Sequence, residues 1–281
     1  MKQRLFHLHA LSALHIGTGQ SAGTVDLPIA RARATNLPLV PGSAIKGVLR
    51  DELPDLDTNR RKTLFGPDNI GAGDAHAGAL AVGDAHLLIL PVRSFAGVVA
   101  FATCPFILNR YARDFDQAPL VPAPAEKGAT VTSTSALKTD GHIALEDLEL
   151  AAQEDASTDA WAGRIAASLY PDSEIWRGEF TRRFAVLADD VFSFLADTAT
   201  EIRARIRIDN DTRTVDTSAL WYEENLPAES VLWGVIGVSR ARDQSGLTAQ
   251  QLSDSLPARE LALQIGGKHT VGRGLCRFLL A

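Results

Sequence analysis

The chain has 281 residues, of which 46% are hydrophobic and 22% charged, so it can bury a substantial core and is not disordered throughout. Its two cysteines, Cys104 and Cys276, form no CxxC pair, which argues against a cysteine zinc site or a disulfide framework and fits a reducing cytoplasm. No apolar run is long enough to cross a bilayer, and histidines interrupt the start where a signal peptide needs apolar residues. We therefore expect a cytoplasmic protein with no membrane partner.

The net charge of −6 at pH 7 argues by itself against a nucleic-acid partner, but the charges are unevenly distributed. Residues 1–50 contain six Lys and Arg residues against one acid, Asp26, and residues 261–281 contain three against none. If the two ends of the chain are neighbours in the fold, they form one basic face on an acidic body. A phosphate backbone responds to such a local potential rather than to the total charge.

The N-terminal residues predict a strand, a glycine-rich loop and a helix. Apolar alternation over residues 4–15 predicts the strand, and the loop "HIGTGQSAG" follows it. The run "PGSAIKGVLRDEL" predicts a turn and then a helix capped by Ser43. Lys46 and Arg50, four residues apart, share one face of that helix.

The middle of the chain predicts further buried strands. Residues 80–90 and 97–103 are typical of them, and Pro105 begins a predicted helix that runs through Tyr111. The composition of residues 117–135 indicates a loop or linker.

The run "IRARIRI" at residues 202–208 alternates and predicts a strand with its isoleucines inward and its arginines outward. A hairpin-like excursion follows, and "SVLWGVIGV" then predicts a buried strand. The chain closes with a strand, a glycine loop and another strand. Because strands and helices mix without a strict repeat, the predicted fold class is α+β.

The closing loop gathers four glycines, a lysine, a histidine and an arginine into residues 266–274. It is not a P-loop, because a histidine rather than Ser or Thr follows Lys268, and it does not match a dinucleotide-binding fingerprint. One interpretation is a tight hairpin between two strands. The other is a nest of backbone N–H groups that holds a sugar–phosphate chain, with Lys268 and Arg273 reaching phosphates.

Two further basic features point to an anion. The N-terminus of the helix at Ser43 offers free N–H groups, with Lys46 one turn further on, and the row formed by Arg203, Arg205 and Arg207 adds positive charge. Each feature alone is also explained as a solvated surface.

Asp26 stands among bases and directly follows a glycine-rich loop. Its carboxylate could orient a 2′-hydroxyl or hold a divalent metal against a phosphate, or it could be a turn aspartate bonded to its own backbone. His15, just before the same loop, could assist proton transfer or be structural. The residues alone thus indicate an RNA or DNA binder with possible nuclease chemistry.

Several blocks together resemble the backbone subunit of the type III-B (Cmr) CRISPR effector complex, a member of the RAMP superfamily. They are "HIGTGQSAGTVDLPIARARATNLPLVPGSAIKGVLRDEL", "GDAHLLILPVRSFAGVVAFATCPFILNRYARD", "IRIDNDTRTVDTSALWYEENLP" and "IGGKHTVGRGL". The match reaches both ends of the chain, and residues of about 117–175 match no named block.

The resemblance implies a single α+β RAMP domain over residues 1–281, with a ferredoxin-like (RRM-like) palm. The palm would comprise residues 1–115 and 180–281, with a helical and loop insertion at about 117–178. A thumb hairpin would span about 206–230.

The resemblance also implies a repeating subunit that binds guide RNA, stacks head to tail with copies of itself, joins other Cmr-type subunits and cuts complementary target RNA at regular intervals. Asp26 would promote attack of the 2′-oxygen with a divalent ion, Mg or Mn, leaving a 2′,3′-cyclic phosphate. The implied catalytic residues are Asp26, which would also bind the metal, His15, Tyr222, Glu223 and Glu224. The expected RNA-binding residues are Ser43, Lys46, Arg50, Arg203, Arg205, Arg207, Gly266, Gly267, Lys268, His269, Gly272, Arg273 and Gly274.

Two alternatives within the same superfamily stay open. One is a non-catalytic RNA-binding structural subunit, in which Asp26 is a turn residue. The other is a guide-processing endoribonuclease that acts alone on repeat RNA, against which the "PGSAIKG" and thumb blocks count. A small-molecule NTPase is disfavoured because the P-loop pattern fails.

Overall fold

The structure, a computed structural model, describes residues 1–19, 25–53, 56–67, 75–115, 117–208, 213, 215–258 and 260–281. Within these residues, strands and helices alternate irregularly along the chain, as an α+β fold requires. The strands are β1 Lys2–Ala10, β2 Leu39–Val40, β3 Leu80–Val82, β4 Ala85–Ser94, β5 Val98–Thr103, β6 Ala129–Val131, β7 His142–Leu145, β8 Leu148–Glu154, β9 Phe184–Leu187, β10 Glu201–Ile208, β11 Val215–Asn225, β12 Val231–Val238, β13 Leu261–Gln264 and β14 Leu275–Leu280. The helices are α1 Gly42–Glu52, α2 Thr58–Phe65, α3 Pro105–Ala112, α4 Ala156–Leu169, α5 Glu174–Arg182, α6 Asp189–Thr198 and α7 Ala249–Ser253.

The described strands form one large sheet and one separate two-stranded sheet. The main path of the large sheet runs β13-β14-β1-β12-β4-β5-β9-β6-β8-β7, with β2 paired to β4 and β3 to β12. Strand β1 lies between β14 and β12 and is antiparallel to both, with Phe6 opposite Leu280 on one side and Gly234 on the other. The two ends of the chain are therefore neighbours, which is the condition under which their bases form one basic face.

Both faces of β1 are covered, which an alternating pattern alone does not predict. Phe6 and Leu8 enter the core, and His7 on the opposite face is also buried. The ring of His7 lies 2.6 Å from the hydroxyl of Tyr111 on α3. Burial lowers the pKa of His7 to about 4, so the ring is neutral at pH 7 and serves packing.

Helix α1 begins two residues earlier than a helix capped by Ser43 would, and Ser43 is not its cap. The N-cap residue is Pro41, and the N–H of Gly42 donates to Asp84 Oδ1 at 2.8 Å. A side chain at position 42 would place its Cβ 2.2 Å from the carbonyl oxygen of Val82, so only glycine allows this close approach to the strand. The predicted strands around residues 80–103 and the helix at Pro105 are confirmed, with a break between β3 and β4.

Residues 117–178, expected as a helical and loop insertion, contain α4 but also three strands, β6 to β8, that were not predicted, and β9 and α6 after them were not predicted either. The prediction of a loop or linker over residues 117–135 is wrong where β6 begins at Ala129. The segment 129–187 supplies β6 to β9 of the large sheet, and α4 packs Trp161, Ile165 and Leu169 into the core. The signals were present, because Asp155 caps α4 and apolar residues recur at helical spacing. No helix that the structure describes is long and apolar enough to cross a membrane.

Strands β10 and β11 form the separate two-stranded sheet, here called the ribbon. The prediction that the isoleucines of β10 point inward is wrong, since Ile202, Ile206 and Ile208 are 50%, 48% and 53% exposed. The physical reason is that a two-stranded sheet has no second layer to cover a face over most of its length. Alternation predicted the strand correctly but not the burial of either face.

Candidate functional site

Four segments of the chain meet where the ribbon joins the rest of the molecule. Leu14 and Leu226 exchange backbone hydrogen bonds of 2.9 and 3.0 Å. Gly267 N–H donates to the carbonyl of His15 at 2.9 Å, and the N–H of Gly274 donates to Ala13 at 3.0 Å. We call this junction the ribbon root; it consists of residues 13–17, residues 25–31 (the Asp26 segment), residues 221–226, and residues 265–274 (the tail loop).

The Asp26 segment runs beside the end of β11. Leu27 N–H donates to Tyr222 O at 3.1 Å, and Leu27 O accepts from Glu224 N–H at 3.0 Å. The carboxylate of Asp26 is exposed, and its Oδ2 accepts the backbone N–H of Tyr222 at 2.8 Å. One oxygen of Asp26 is therefore fixed by the ribbon while the carboxylate remains open to solvent. The preceding residues, 20–24, lie outside those that the structure describes.

His15 lies beneath this surface and is 4% exposed. Its Nδ1 lies 2.7 Å from the carbonyl oxygen of Glu224, which can only accept, so Nδ1 carries a proton and donates it to this hydrogen bond. A Cβ at Gly17 would lie 2.9 Å from Nε2 of the same ring, and one at Gly266 would lie 2.2 Å from the carbonyl oxygen of His15. The predicted glycine positions thus let both loops approach His15 closely.

Glu223 is fully buried, unlike Asp26. Its Oε1 accepts from Nε and Nη2 of Arg273 at 3.2 and 3.1 Å, and its Oε2 lies 3.9 Å from Nε of Arg205. Arg273, whose side chain is 11% exposed, therefore connects the tail loop to the ribbon. The sequence predicted Arg273 as a phosphate contact and Glu223 as a catalytic residue. In the structure the two side chains form a buried ion pair with each other.

Glu224 is also buried, and both of its oxygens are occupied by the Asp26 segment. Oε1 accepts from Nη2 of Arg31 at 2.6 Å, and Oε2 accepts the N–H of Ile29 at 3.1 Å. Of the five predicted catalytic residues, the structure brings all to the ribbon root, but only Asp26 and Tyr222 are exposed there. Their individual roles stay predictions.

The tail loop presents Lys268 and His269 on its outer side. Lys268 and Gly272 both adopt left-handed backbone conformations, with φ of 66° and 76°, on either side of a short 3₁₀ turn. The ammonium of Lys268 lies 5.9 Å from the centre of the Trp221 ring, and His269 is exposed. Lysine and ring together offer a cation and an aromatic face to a ligand.

The other predicted RNA-binding residues lie on α1 and on the ribbon. The ammonium of Lys46 donates to Leu80 O at 2.9 Å, and burial, with Arg50 and Arg242 nearby, lowers its pKa. A guanidinium N–H of Arg50 donates to Gly66 O at 3.0 Å. On the ribbon, Arg203 pairs with Glu201, while Arg207 and, on α1, Ser43 are exposed.

Arg31 was missed as a site residue. The signal was available, because in "DLPIAR" the side chains of Leu27, Ile29 and Arg31 fall on the same side of an extended segment. Since Ile29 is buried, Arg31 is expected to point into the protein as well.

The described residues contain no cluster of three His, Cys, Asp or Glu side chains that could hold a metal ion by itself. The ribbon root offers a metal ion one exposed carboxylate, that of Asp26. This donor set fits an ion such as Mg²⁺, which in nucleotide chemistry takes one or two carboxylates and completes its shell with phosphate oxygens and water.

Comparison with known proteins shows which family the chain belongs to. Residues 7–277 match the RAMP superfamily, so the chain belongs to this superfamily. Within it, the chain is 34% identical over 294 residues to the CRISPR system Cmr endoribonuclease Cmr4 of Pyrococcus furiosus, covering 100% of this chain and 96% of that protein. The CMR subunit Cmr4 of Saccharolobus solfataricus is 23% identical, over 96% of this chain and 94% of that protein. The predicted resemblance to the type III-B backbone subunit is thereby confirmed.

Solved structures agree on the fold. Oligomeric Cmr4 from Pyrococcus furiosus superposes with a TM-score of 0.76 at 26% identity, covering 100% of this chain and 98% of that one. A chain of the type III-B Cmr-beta complex bound to cognate target RNA gives a TM-score of 0.74 at 20% identity, covering 100% and 97%. The second similarity concerns the fold alone.

Proposed function

We propose that this chain is a repeating backbone subunit of a type III-B CRISPR ribonucleoprotein, and that it cleaves complementary target RNA at the ribbon root. The similarity to a Cmr endoribonuclease over the full length of the chain supports the reaction class. One observation carries the location of the reaction. Of the carboxylates that the described residues place at the root, Asp26 alone is exposed, while Glu223 and Glu224 are buried and paired with arginines.

The chemistry that Asp26 would perform is proton abstraction. Its carboxylate takes the proton of a 2′-hydroxyl of the target, the 2′-oxygen bonds to the adjacent phosphorus, and the bond to the 5′-oxygen breaks. The products are a 2′,3′-cyclic phosphate and a 5′-hydroxyl that takes a proton from water. The Tyr222 N–H holds one oxygen of Asp26 during this step. A divalent ion, Mg or Mn, held by Asp26 and the RNA would neutralise charge that develops on the phosphate.

The buried residues of the root position Asp26 rather than touch RNA. Glu224 holds the backbone of the Asp26 segment at Ile29, and His15 holds the carbonyl of Glu224. Glu223 and Arg273 attach the tail loop to the ribbon. Tyr222, which is 42% exposed, is available to contact the target beside the cut.

The same structure suggests roles for the large sheet, the ribbon and the tail loop in RNA binding and assembly. The strands of the large sheet that come from residues 1–115 and 180–281, with α1, would be the ferredoxin-like palm. The ribbon would be the thumb that enters between guide and target. Lys268, His269 and the exposed arginines of the ribbon would contact the guide backbone, which suits a protein that cannot read a variable guide sequence. Copies of the chain would stack head to tail beside other Cmr-type subunits in the cytoplasm.

The test of the proposed function is Asp26→Asn in the complex reconstituted with its partner subunits and guide RNA. Asn keeps an oxygen acceptor for the Tyr222 N–H but cannot take the proton. We expect cutting of a labelled target to slow by at least about 100-fold, with target affinity within about 2-fold of the unaltered complex. Asp51→Ala, which removes an exposed acid on α1, is the matched control and should cut normally.

Each alternative predicts a different result in the same assay. Cutting at an unchanged rate by the Asp26→Asn complex would overturn the proposal. An intact target with the unaltered complex favours the non-catalytic structural subunit. A single cut in a repeat hairpin by the isolated chain favours the guide-processing endoribonuclease.

A further inference from the structure

Arg31 connects the ribbon root to the parts of the chain beside it, because it donates hydrogen bonds to one residue of the root and to three residues outside it. Its Nη2 donates to Glu224 Oε1 at 2.6 Å. Its Nη1 donates to Asp197 Oδ1 at 3.0 Å, to Ala196 O at 3.2 Å and to Asn36 O at 2.9 Å. From these contacts we infer that Arg31 is a positioning residue that sets Asp26 against the ribbon, an inference that rests on the proposed function.

The contacts of Arg31 lie where the chain enters the ribbon and where it leaves it. Asp197 lies at the end of α6, which leads directly into β10 at Glu201, and Glu224 lies near the end of β11. The carbonyl of Ala196 is in the last turn of α6, where the negative end of the helix dipole favours a cation. A single guanidinium thus joins the entry and the exit of the ribbon.

The same contacts fix the backbone that carries Asp26. Glu224 uses one oxygen for Arg31 and the other for the N–H of Ile29. With the Leu27 backbone bonds to β11 and the Asp26 bond to Tyr222, the Asp26 segment is held at alternate residues. Removing Arg31 frees one oxygen of Glu224 and removes the bonds to the end of α6, so the Asp26 segment keeps its bonds to β11 but loses the contacts that fix its position relative to the entry of the ribbon.

Arg31 acts through protein contacts and not on RNA. Its side chain is 17% exposed, and its donors are directed at Glu224, Asp197 and two backbone carbonyls. Arg33, two residues further on, is exposed and provides the matched control for loss of one positive charge on the same segment. A lysine has a single ammonium and cannot span the carboxylates and carbonyls that the planar guanidinium reaches.

The experiment compares single-turnover cutting rates and target affinities of reconstituted complexes that contain Arg31→Ala, Arg31→Lys or Arg33→Ala. We expect Arg31→Ala to slow cutting by about 10- to 100-fold, the size of effect that a displacement of about 1 Å produces at a reacting group. Target affinity should change by less than about 2-fold. Arg31→Lys should recover part of the rate, and Arg33→Ala should cut normally.

Glu224→Gln tests whether Arg31 works through Glu224. Gln keeps an oxygen for Ile29 N–H but loses the charge that attracts Arg31. If the two residues act as one unit, the double variant Arg31→Ala, Glu224→Gln cuts no more slowly than the slower single variant. Multiplied effects, or an Arg31→Ala complex that cuts normally, would overturn the inference.

Asp26→Asn in the same series separates this inference from the proposed function. If Asp26→Asn stops cutting and Arg31→Ala does not slow it, only the positioning role fails. If Asp26→Asn cuts normally, the proposed function itself fails. Should Arg31→Ala not assemble, Arg31→Lys and Asp197→Asn give the same reading with smaller structural disturbance, and normal rates in both would overturn the inference.

Discussion

The two ends of the ribbon have opposite characters although they belong to the same pair of strands. At the root, Glu223, Glu224 and Asn225 are buried, and arginines pair with both glutamates. In the outer half, Ile206 and Leu220 face each other across the strands and are 48% and 55% exposed. The charged residues are therefore inside and the apolar ones outside, the reverse of an ordinary sheet face.

This inversion fits the proposed function. An exposed apolar row beside arginines is suited to enter between stacked bases, because proteins commonly separate base steps with apolar side chains and hold the flanking phosphates with cations. The buried ion pairs of the root would keep the ribbon at a fixed angle while its outer half contacts RNA. The root is thus expected to contribute to folding stability, and the outer half to RNA binding.

The largest effect should come from breaking the root. Glu223→Ala leaves the guanidinium of Arg273 buried without its partner, and loss of one member of a buried pair costs about 3–5 kcal/mol. We expect the free energy of unfolding, measured by urea denaturation of the isolated chain, to fall by about 3 kcal/mol or more.

Glu201→Ala is the control, because Glu201 lies at the same end of the ribbon but pairs with Arg203 at the surface, and such surface pairs contribute at most about 1 kcal/mol. Equal losses for the two variants would contradict the distinction between the buried ion pairs of the root and an exposed pair beside them.

The first and last strands could be predicted from the sequence, but that they pair with each other was only a condition of the single basic face and could not be predicted from local pattern. Helix α3 was predictable from Pro105, which occupies its first position. The pairing of Glu223 and Glu224 was not predictable, since their arginine partners lie 50 and 193 residues away. Local pattern carries no information on contacts at such separations.

The errors have equally physical causes. Ser43 has the chemistry of a cap, but the N-cap of α1 is two residues earlier, and Gly42 passes close to Val82 while Asp84 accepts its N–H. The isoleucines of β10 have the pattern of a buried face, but within the described part of the chain no second layer covers them. Tertiary packing, which the local sequence does not encode, decided both.

A smaller effect should distinguish the apolar residues of the two regions. Leu226 is fully buried at the root. Leu226→Ala should lower the free energy of unfolding by about 2–5 kcal/mol, as for other buried leucines. Leu220→Ala, in the outer half, should cost less than about 1 kcal/mol because more than half of that side chain is already exposed. It should instead weaken target binding by the complex. If Leu220→Ala lowered the free energy of unfolding as much as Leu226→Ala does, Leu220 would have to be packed against other residues of the chain, which would contradict the distinction between the two regions.

The smallest effect concerns the tail loop, where one cation faces the protein and another faces outward. Arg273 is committed to Glu223, whereas Lys268 stands over the Trp221 ring at the edge of the loop. If Lys268 neutralises one phosphate, Lys268→Ala should reduce the slope of log affinity for guide RNA against log salt by about 0.7. Lys127→Ala, which removes an exposed lysine from the segment 117–135, should leave the slope unchanged. Titrations at four or more KCl concentrations measure both slopes, and an unaltered slope for Lys268→Ala would exclude this lysine from the RNA contact.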